Sequence, residues 1–206
     1  MAQFTVLGAV NDPGTPGKGG DDRYGFDEQA GTAWALDGAT DVTDLRPFPR
    51  ADSGAAWIAQ AYSDRLISQP PPPGDLGAYW RDVFSDVRTL AAKQTKIDLG
   101  DLPGDATPIA AGIWARVSDE IAEFCWLGDC VALVDAGKGT VETVGSPEKA
   151  KAETAEARRM NGLSEAEKLG ELQRHRASMN KDDRWVFGLV PDASDHMNTR
   201  KVPTPS

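Results

Sequence analysis

The stretch TAWALDGATDV, residues 32–42, runs a short apolar segment, Ala33-Trp34-Ala35-Leu36, straight into Asp37-Gly38. The apolar run has the character of a strand, and the abrupt Asp-Gly marks its end. An acidic pair, Asp21-Asp22 in GKGGDDRYGF, stands shortly before it. Two readings follow. One is a strand followed by an ordinary turn. The other is a pair of strand ends that present carboxylates to a metal ion.

Working outward, RYGF and TAWAL read as two short strands around the turn-forming DEQAG. FTVLGAV (4–10) reads as a strand before them, with the Gly- and Pro-dense NDPGTPGKGG (11–20) as the loop between. Residues 52–68 predict a helix, with Asp52 and Ser53 as capping candidates and Ala55, Ile58, Ala59, Tyr62 and Leu66 as its apolar stripe. The QPPPPG run (69–74) must stop it, because proline lacks the N–H and blocks the preceding turn. From an N-cap at Asp75, the residues Leu76, Tyr79, Trp80, Val83, Phe84, Val87, Leu90 and Ala91 recur at three- and four-residue steps.

From residue 108 the period changes. PIAAGIWARV, EIAEFCWL, CVALVDA and TVETV are strand-like runs joined by short polar turns, an antiparallel meander. Helical sequence returns at Pro147, and again at Ser164 with Glu167 in capping-box spacing. DDRWVFGLVP (182–191) predicts a last strand, and RKVPTPS reads as a polar tail. Neither an internal repeat nor a long linker interrupts the chain. Strands, helices, strands, helices and strand in that order suit one α+β domain over residues 1–206, built on antiparallel sheets.

Forty per cent apolar residues, with six Trp and six Phe among 206, indicate a chain able to bury a core. The net charge of −10 argues against a nucleic-acid partner, which would require a basic face. No apolar run reaches membrane-span length, and no basic-then-apolar leader opens the sequence, so the expectation is a cytoplasmic protein without a membrane partner. Cys125 and Cys130 read as small core hydrophobes, although a cross-strand disulfide is conceivable. With His175 and His196 they show no zinc-ligand spacing.

A hard cation such as Mg²⁺ or Mn²⁺ takes oxygen ligands: carboxylates, main-chain carbonyls and water. A carboxylate at a strand end is held rigidly, and a glycine beside it lets a carbonyl approach unobstructed. Asp37-Gly38 offers both. Asp21 and Asp22 would face the same pocket, and Asp129, in the hairpin tip WLGDCVALVD, is a fourth carboxylate.

In GGDDRYG, WALDGAT and WLGDCVALV, taken in that order with two helices between the second and third, the sequence resembles the bacterial-type 2C metal-dependent serine/threonine protein phosphatases. The resemblance spans roughly residues 4–190. It implies a central antiparallel β-sandwich flanked by helices in four layers (αββα), with two Mn²⁺ or Mg²⁺ ions at one end. By the family pattern Asp37 bridges both ions, Asp21 and the Gly38 carbonyl bind one of them, and Asp22 acts through bound waters. Asp129 lies at the edge of the site, and Asp37 and Asp22 carry the catalytic roles. The implied reaction is hydrolysis of a phosphoserine or phosphothreonine on a protein substrate, by a water made acidic between two ions.

The chain departs from the pattern in three places. Ala39 stands where many members have a histidine. Near the position of the phosphate-binding arginine, position 17 is Gly and only Lys18 is basic; a lysine attracts phosphate without the bidentate fork. Downstream of Asp129, none of Asp135, Asp182, Asp183, Asp192 and Asp195 sits at an apolar strand end followed by glycine; Asp195 is the nearest mimic. The resemblance therefore implies a domain that lacks its last strands and hydrolyses phosphate esters weakly or not at all. The alternatives are a phosphatase-like regulatory or phosphoprotein-binding module, and an acidic structural protein without a site.

Overall fold

The computed structural model describes residues 5–12, 19–72, 74–135, 137 and 140–204. Two antiparallel sheets form its centre. Strands β1 (Arg23–Asp27), β2 (Thr32–Gly38), β3 (Ala110–Val117), β4 (Ile121–Leu127) and β7 (Asn198–Pro203) lie in the order β1-β2-β3-β4-β7; β5 (Val131–Asp135) pairs only with β6 (Val141–Gly145). The helices are α1 (Gly54–Ser68), α2 (Leu76–Gln94), α3 (Pro147–Met160) and α4 (Glu165–Ala177). The α+β architecture of antiparallel sheets flanked by helices expected from the sequence is observed.

The two-residue period of β2 divides its roles. Thr32, Trp34, Leu36 and Gly38 are buried on one face, whereas Ala35 and Asp37 are exposed on the other. The buried face packs beneath α1 and α2, where Ile58, Tyr62, Trp80, Val83, Phe84 and Val87 meet Trp114, Cys125, Leu127 and Phe187. The opposite face of β3, β4 and β7 buries Ile113, Phe124, Trp126 and Val202 against Val144 of the β5–β6 hairpin, with Ala132 and Val134 packed beside them. Coverage on both faces explains why β3 and β4 read as nearly continuous apolar runs.

Both long helices begin where their caps place them. Ser53, rather than Asp52, is the N-cap of α1, and its hydroxyl accepts from the Ala56 N–H. Asp75 caps α2, and Ser164 with Glu167 closes a capping box on α4. Cys125 is buried in the main core, Cys130 is half-buried, and both are free thiols.

Three sequence expectations are corrected. Residues 5–10 carry no regular structure, and Leu7 and Val10 are 99% and 94% exposed. Apolar residues with neither a partner strand nor a surface to cover give no strand. The segment 182–191 is not a strand either: only Phe187 pairs, exchanging hydrogen bonds with Ala110. Three of its other main-chain groups are held by side chains: Asn180 Oδ1 accepts from Val186 N–H, Tyr62 donates to the Gly188 carbonyl and Arg88 to that of Leu189. Conversely, the polar tail forms β7, with Val202 opposite Ala122 on β4. An edge strand needs few inward apolar residues, and the charges of Arg200 and Lys201 are met by Glu142 and Glu123.

Phe187 joins this irregular segment to the helices, stacking on Phe84 and meeting Tyr62 and Trp80 edge-on. Phe187→Ala is expected to destabilise the fold by ~3–5 kcal/mol in urea unfolding. A loss well below that range would show that the segment is not part of the cooperative core.

Candidate functional site

Strand register assembles the site. Arg23 lies opposite Leu36, so the same register carried past the end of β1 sets Asp22 against Asp37 and Asp21 against Gly38. Asp37 is in turn paired with Ala111 on β3. One strand further, Gly112 pairs with Leu127, and the register continued by one residue sets Gly128 against Ala111. A side chain at Gly128 would stand 2.5 Å from the Ala111 Cβ, and its φ is +82°, so glycine is required there on both counts. That turn delivers Asp129 beside Asp37. The predicted set Asp21, Asp22, Asp37, Gly38 and Asp129 is thus brought to one end of the five-stranded sheet.

The electrostatics report the crowding. Asp37 keeps contact with solvent, yet partial burial among its neighbours pushes its carboxyl up to about 6. The charge of Asp22, a hydrogen bond to Asp22, and the charges of Asp129 and Asp21 add to that rise. Cys130, next to Asp129, makes a hydrogen bond with the Asp37 main chain. Burial first, then the charges of Asp37 and Asp129, push its thiol up to about 12, which leaves it unreactive as a nucleophile.

The structure adds residues that the sequence reading did not identify. The first is Glu153 on α3. Because Val131 pairs with Gly145, the end of β6 returns beside the start of β5, and α3 begins two residues later. Trp126 Nε1 donates to Ser146 Oγ and fixes that start. Glu153 thereby reaches Asp129; burial, the charge of Asp129 and a hydrogen bond to it, and the charge of Asp37 raise its carboxyl to about 7, opposed by Lys149. The symmetric pairing of the β5–β6 hairpin was the available signal, since it returns the chain to the Asp129 end.

The others hold the acidic residues in place. Ser53 donates its hydroxyl proton to Asp21, joining the cap of α1 to the acidic pair. Arg23 donates to the Gly20 and Asp22 carbonyls at 2.7 and 2.6 Å. Asp41 accepts from the Gly54 and Ala55 N–H groups, fastening the loop after Gly38 to the α1 N-terminus. Lys18 lies outside the described residues. Asp195, the nearest mimic of a late ligand, is part of the 3-10 helix Pro191–His196 and faces Arg81 at 3.7 Å.

Among the described residues, no three His, Cys, Asp or Glu side chains stand in an arrangement that could hold a metal ion. The carboxyls are instead paired with one another, Asp37 with Asp22 and Glu153 with Asp129. In chemical type the donor set still fits a hard divalent cation, because it is made of carboxylate oxygens whose mutual repulsion a cation would relieve. Such an ion would compete with protons for Asp37 and Glu153, whose carboxyls are raised.

The fold is also found in solved structures. The serine/threonine phosphatase PstP/Ppp of Mycobacterium tuberculosis superposes with a TM-score of 0.53 at 13% identity, over 100% of this chain and 72% of that one. PppA, described as a key regulatory component of T6SS in Pseudomonas aeruginosa, aligns with a TM-score of 0.48 at 14% identity, over 89% of this chain and 65% of that one. The chain thus spans about two thirds of the length of the latter. No protein-family model and no curated protein matches the sequence. The likeness to PstP/Ppp is one of architecture: the chain shares that protein's fold.

The raised carboxyls set a pH dependence. A carboxyl whose folded value lies above its ordinary one binds more protons folded than unfolded, so stability falls as pH rises through that interval. For Asp37 the interval runs from 3.8 to about 6, and for Glu153 from 4.5 to about 7. In chelator, Asp37→Asn and Glu153→Gln are each expected to raise the melting temperature at about pH 8, with the gain vanishing near pH 4. A gain independent of pH would mean that the carboxyls do not repel.

Proposed function

We propose that this chain is a divalent-cation-dependent phosphatase module acting on phosphoserine or phosphothreonine in a protein substrate. The observation that carries the reading is the convergence of Asp21, Asp22, Asp37 and Asp129 at one end of a fold shared with a serine/threonine phosphatase. In this reading Asp37 is the central ligand, with Asp21, Asp22 and the Gly38 carbonyl on one side and Asp129 on the other. Glu153 is a further carboxylate within reach of Asp129. Mn²⁺ or Mg²⁺ bound there would supply an acidic water and neutralise charge on the phosphoryl oxygens.

The chain's own residues have three tasks. Ser53 and Arg23 orient the acidic pair, the first through the Asp21 carboxylate and the second through the Gly20 and Asp22 carbonyls. The Asp37–Gly38 strand end keeps one carboxylate and one carbonyl at fixed spacing. Asp37 would offer a cation its full charge only when ionised, and its carboxyl is raised to about 6, so cation affinity should rise with pH through about 6. Lys18, three positions before Asp21 in the sequence, is the proposed basic group for attracting the phosphate.

The absence of a ready-made three-residue ligand set among the described residues supports a second reading, a phosphoprotein-binding module without turnover. Hydrolysis of an aryl phosphate in Mn²⁺ separates the two. The phosphatase reading expects slow turnover, lost in chelator and in Asp37→Asn. Cation binding with no turnover at any pH would leave the binding module. Calorimetric titration adds a test of the central role: Asp37→Asn should lower Mn²⁺ affinity more than Asp129→Asn. Equal losses would remove Asp37 from that role.

A further inference from the structure

Arg176 is the one buried residue of α4, with 8% of its surface exposed. A buried guanidinium is tolerated only where its donors are satisfied. One of its terminal nitrogens, Nη2, donates to the carbonyls of Ala39 and Thr40, at 3.1 and 2.8 Å. Those residues directly follow Asp37-Gly38. Three places earlier on the same helix, Gln173 donates to the Val42 carbonyl at 3.0 Å. The carboxylate of Asp41, between these carbonyls, favours the guanidinium charge and is itself bound to the N-terminus of α1.

The position of these bonds matters because of the peptide plane. The Gly38 carbonyl and the Ala39 N–H belong to one rigid unit. That N–H donates to the Ile109 carbonyl at 3.0 Å, fixing one side of the plane. Arg176 fixes the next two carbonyls along the chain. Without it, the segment leaving Gly38 would keep only the Ala39 N–H bond, the Asp41 bonds to α1 and the Gln173 bond to Val42, and the strand end would be less firmly held.

We propose that Arg176 is a positioning residue for the cation site, through which the docking of α4 sets the affinity of the Asp37–Gly38 strand end. The inference rests on the metal-site reading given above. It makes α4 a coupling element: a cation that needs the 38–40 backbone in place favours the docked helix, and the docked helix favours the cation by the same factor.

The sign of one measurement separates this role from two simpler ones. If Arg176 were only a nearby positive charge, its removal would deepen the negative potential and tighten cation binding. If it only held α4 to the body, its removal would lower stability and leave affinity unchanged. A positioning role predicts weaker binding. Mn²⁺ titration of Arg176→Met is expected to show an affinity lowered by about tenfold or more. Arg176→Lys should recover part of the loss, since an ammonium supplies charge and donors without the planar fork. Tighter or unchanged Mn²⁺ binding in folded Arg176→Met overturns the proposal. Hydrogen exchange on the wild-type chain gives a second test that does not depend on the variant folding: Mn²⁺ should slow exchange across residues 165–177. Binding without that protection also overturns it. A wild-type chain that binds no Mn²⁺ would instead bring down the metal-site reading, and this inference with it.

Discussion

Gly38 has no room for a side chain. A Cβ there would stand 2.5 Å from the Asp21 carbonyl oxygen and 2.8 Å from that of Ala55. The lead-in to β1, the end of β2 and the first turn of α1 therefore meet at one point, and only glycine permits the approach. Much of the acidic end follows from this contact. It brings Asp21 within reach of Ser53, which caps the helix with one side of its hydroxyl and donates to the carboxylate with the other. It also holds Asp22 against Asp37, where the strand register would put it.

A fold that gathers like charges must hold them by forces indifferent to charge. Here the restraint comes from the opposite face of the same strand. Trp34 and Leu36 are buried beneath α1 and α2, and alternation sends Asp37 to the other side. A shift of register by one residue would carry Asp37 into the apolar core and expel Leu36, so the hydrophobic face fixes the acidic one. Mutual repulsion then appears in proton affinity rather than in distortion of the strand. Asp37 and Glu153 keep protons at pH values where isolated carboxyls would lose them.

The helices were readable because their stripes and caps are local. The α2 stripe from Leu76 to Ala91 and the Ser164–Glu167 box need no knowledge of the rest of the chain. Strands β1 to β6 were readable from alternation and turn residues. Elements that depend on a distant partner were not. FTVLGAV has the composition of a strand, yet its described residues 5–10 pair with no strand among the described residues, whereas β7 has the composition of a tail and finds β4. The acidic positions Asp21, Asp22, Asp37 and Asp129 could be placed because motif order brought them together. Glu153 and Arg176 could not, since each is an ordinary charged residue on a polar helix until hairpin pairing and helix docking set it beside Asp129 or the 39–40 loop.

The two halves of the acidic end are consequently held by different physics. Asp21, Asp22, Asp37 and Asp129 stand on or beside strands that share the main core, so moving them means disturbing buried Trp34, Trp114 and Leu127. Glu153 and Arg176 come from α3 and α4, whose described residues contribute no member to either apolar cluster. Besides the packing of Ala177 against Gly104, hydrogen bonds to carboxylates and carbonyls hold them to the body, and such bonds respond to charge and protonation where apolar packing does not. Local opening follows the weaker class of contact. In the proposed reading the β-strand half would supply a fixed set of oxygen donors, and the helical half would be the part whose docking a proton or a cation at that end changes.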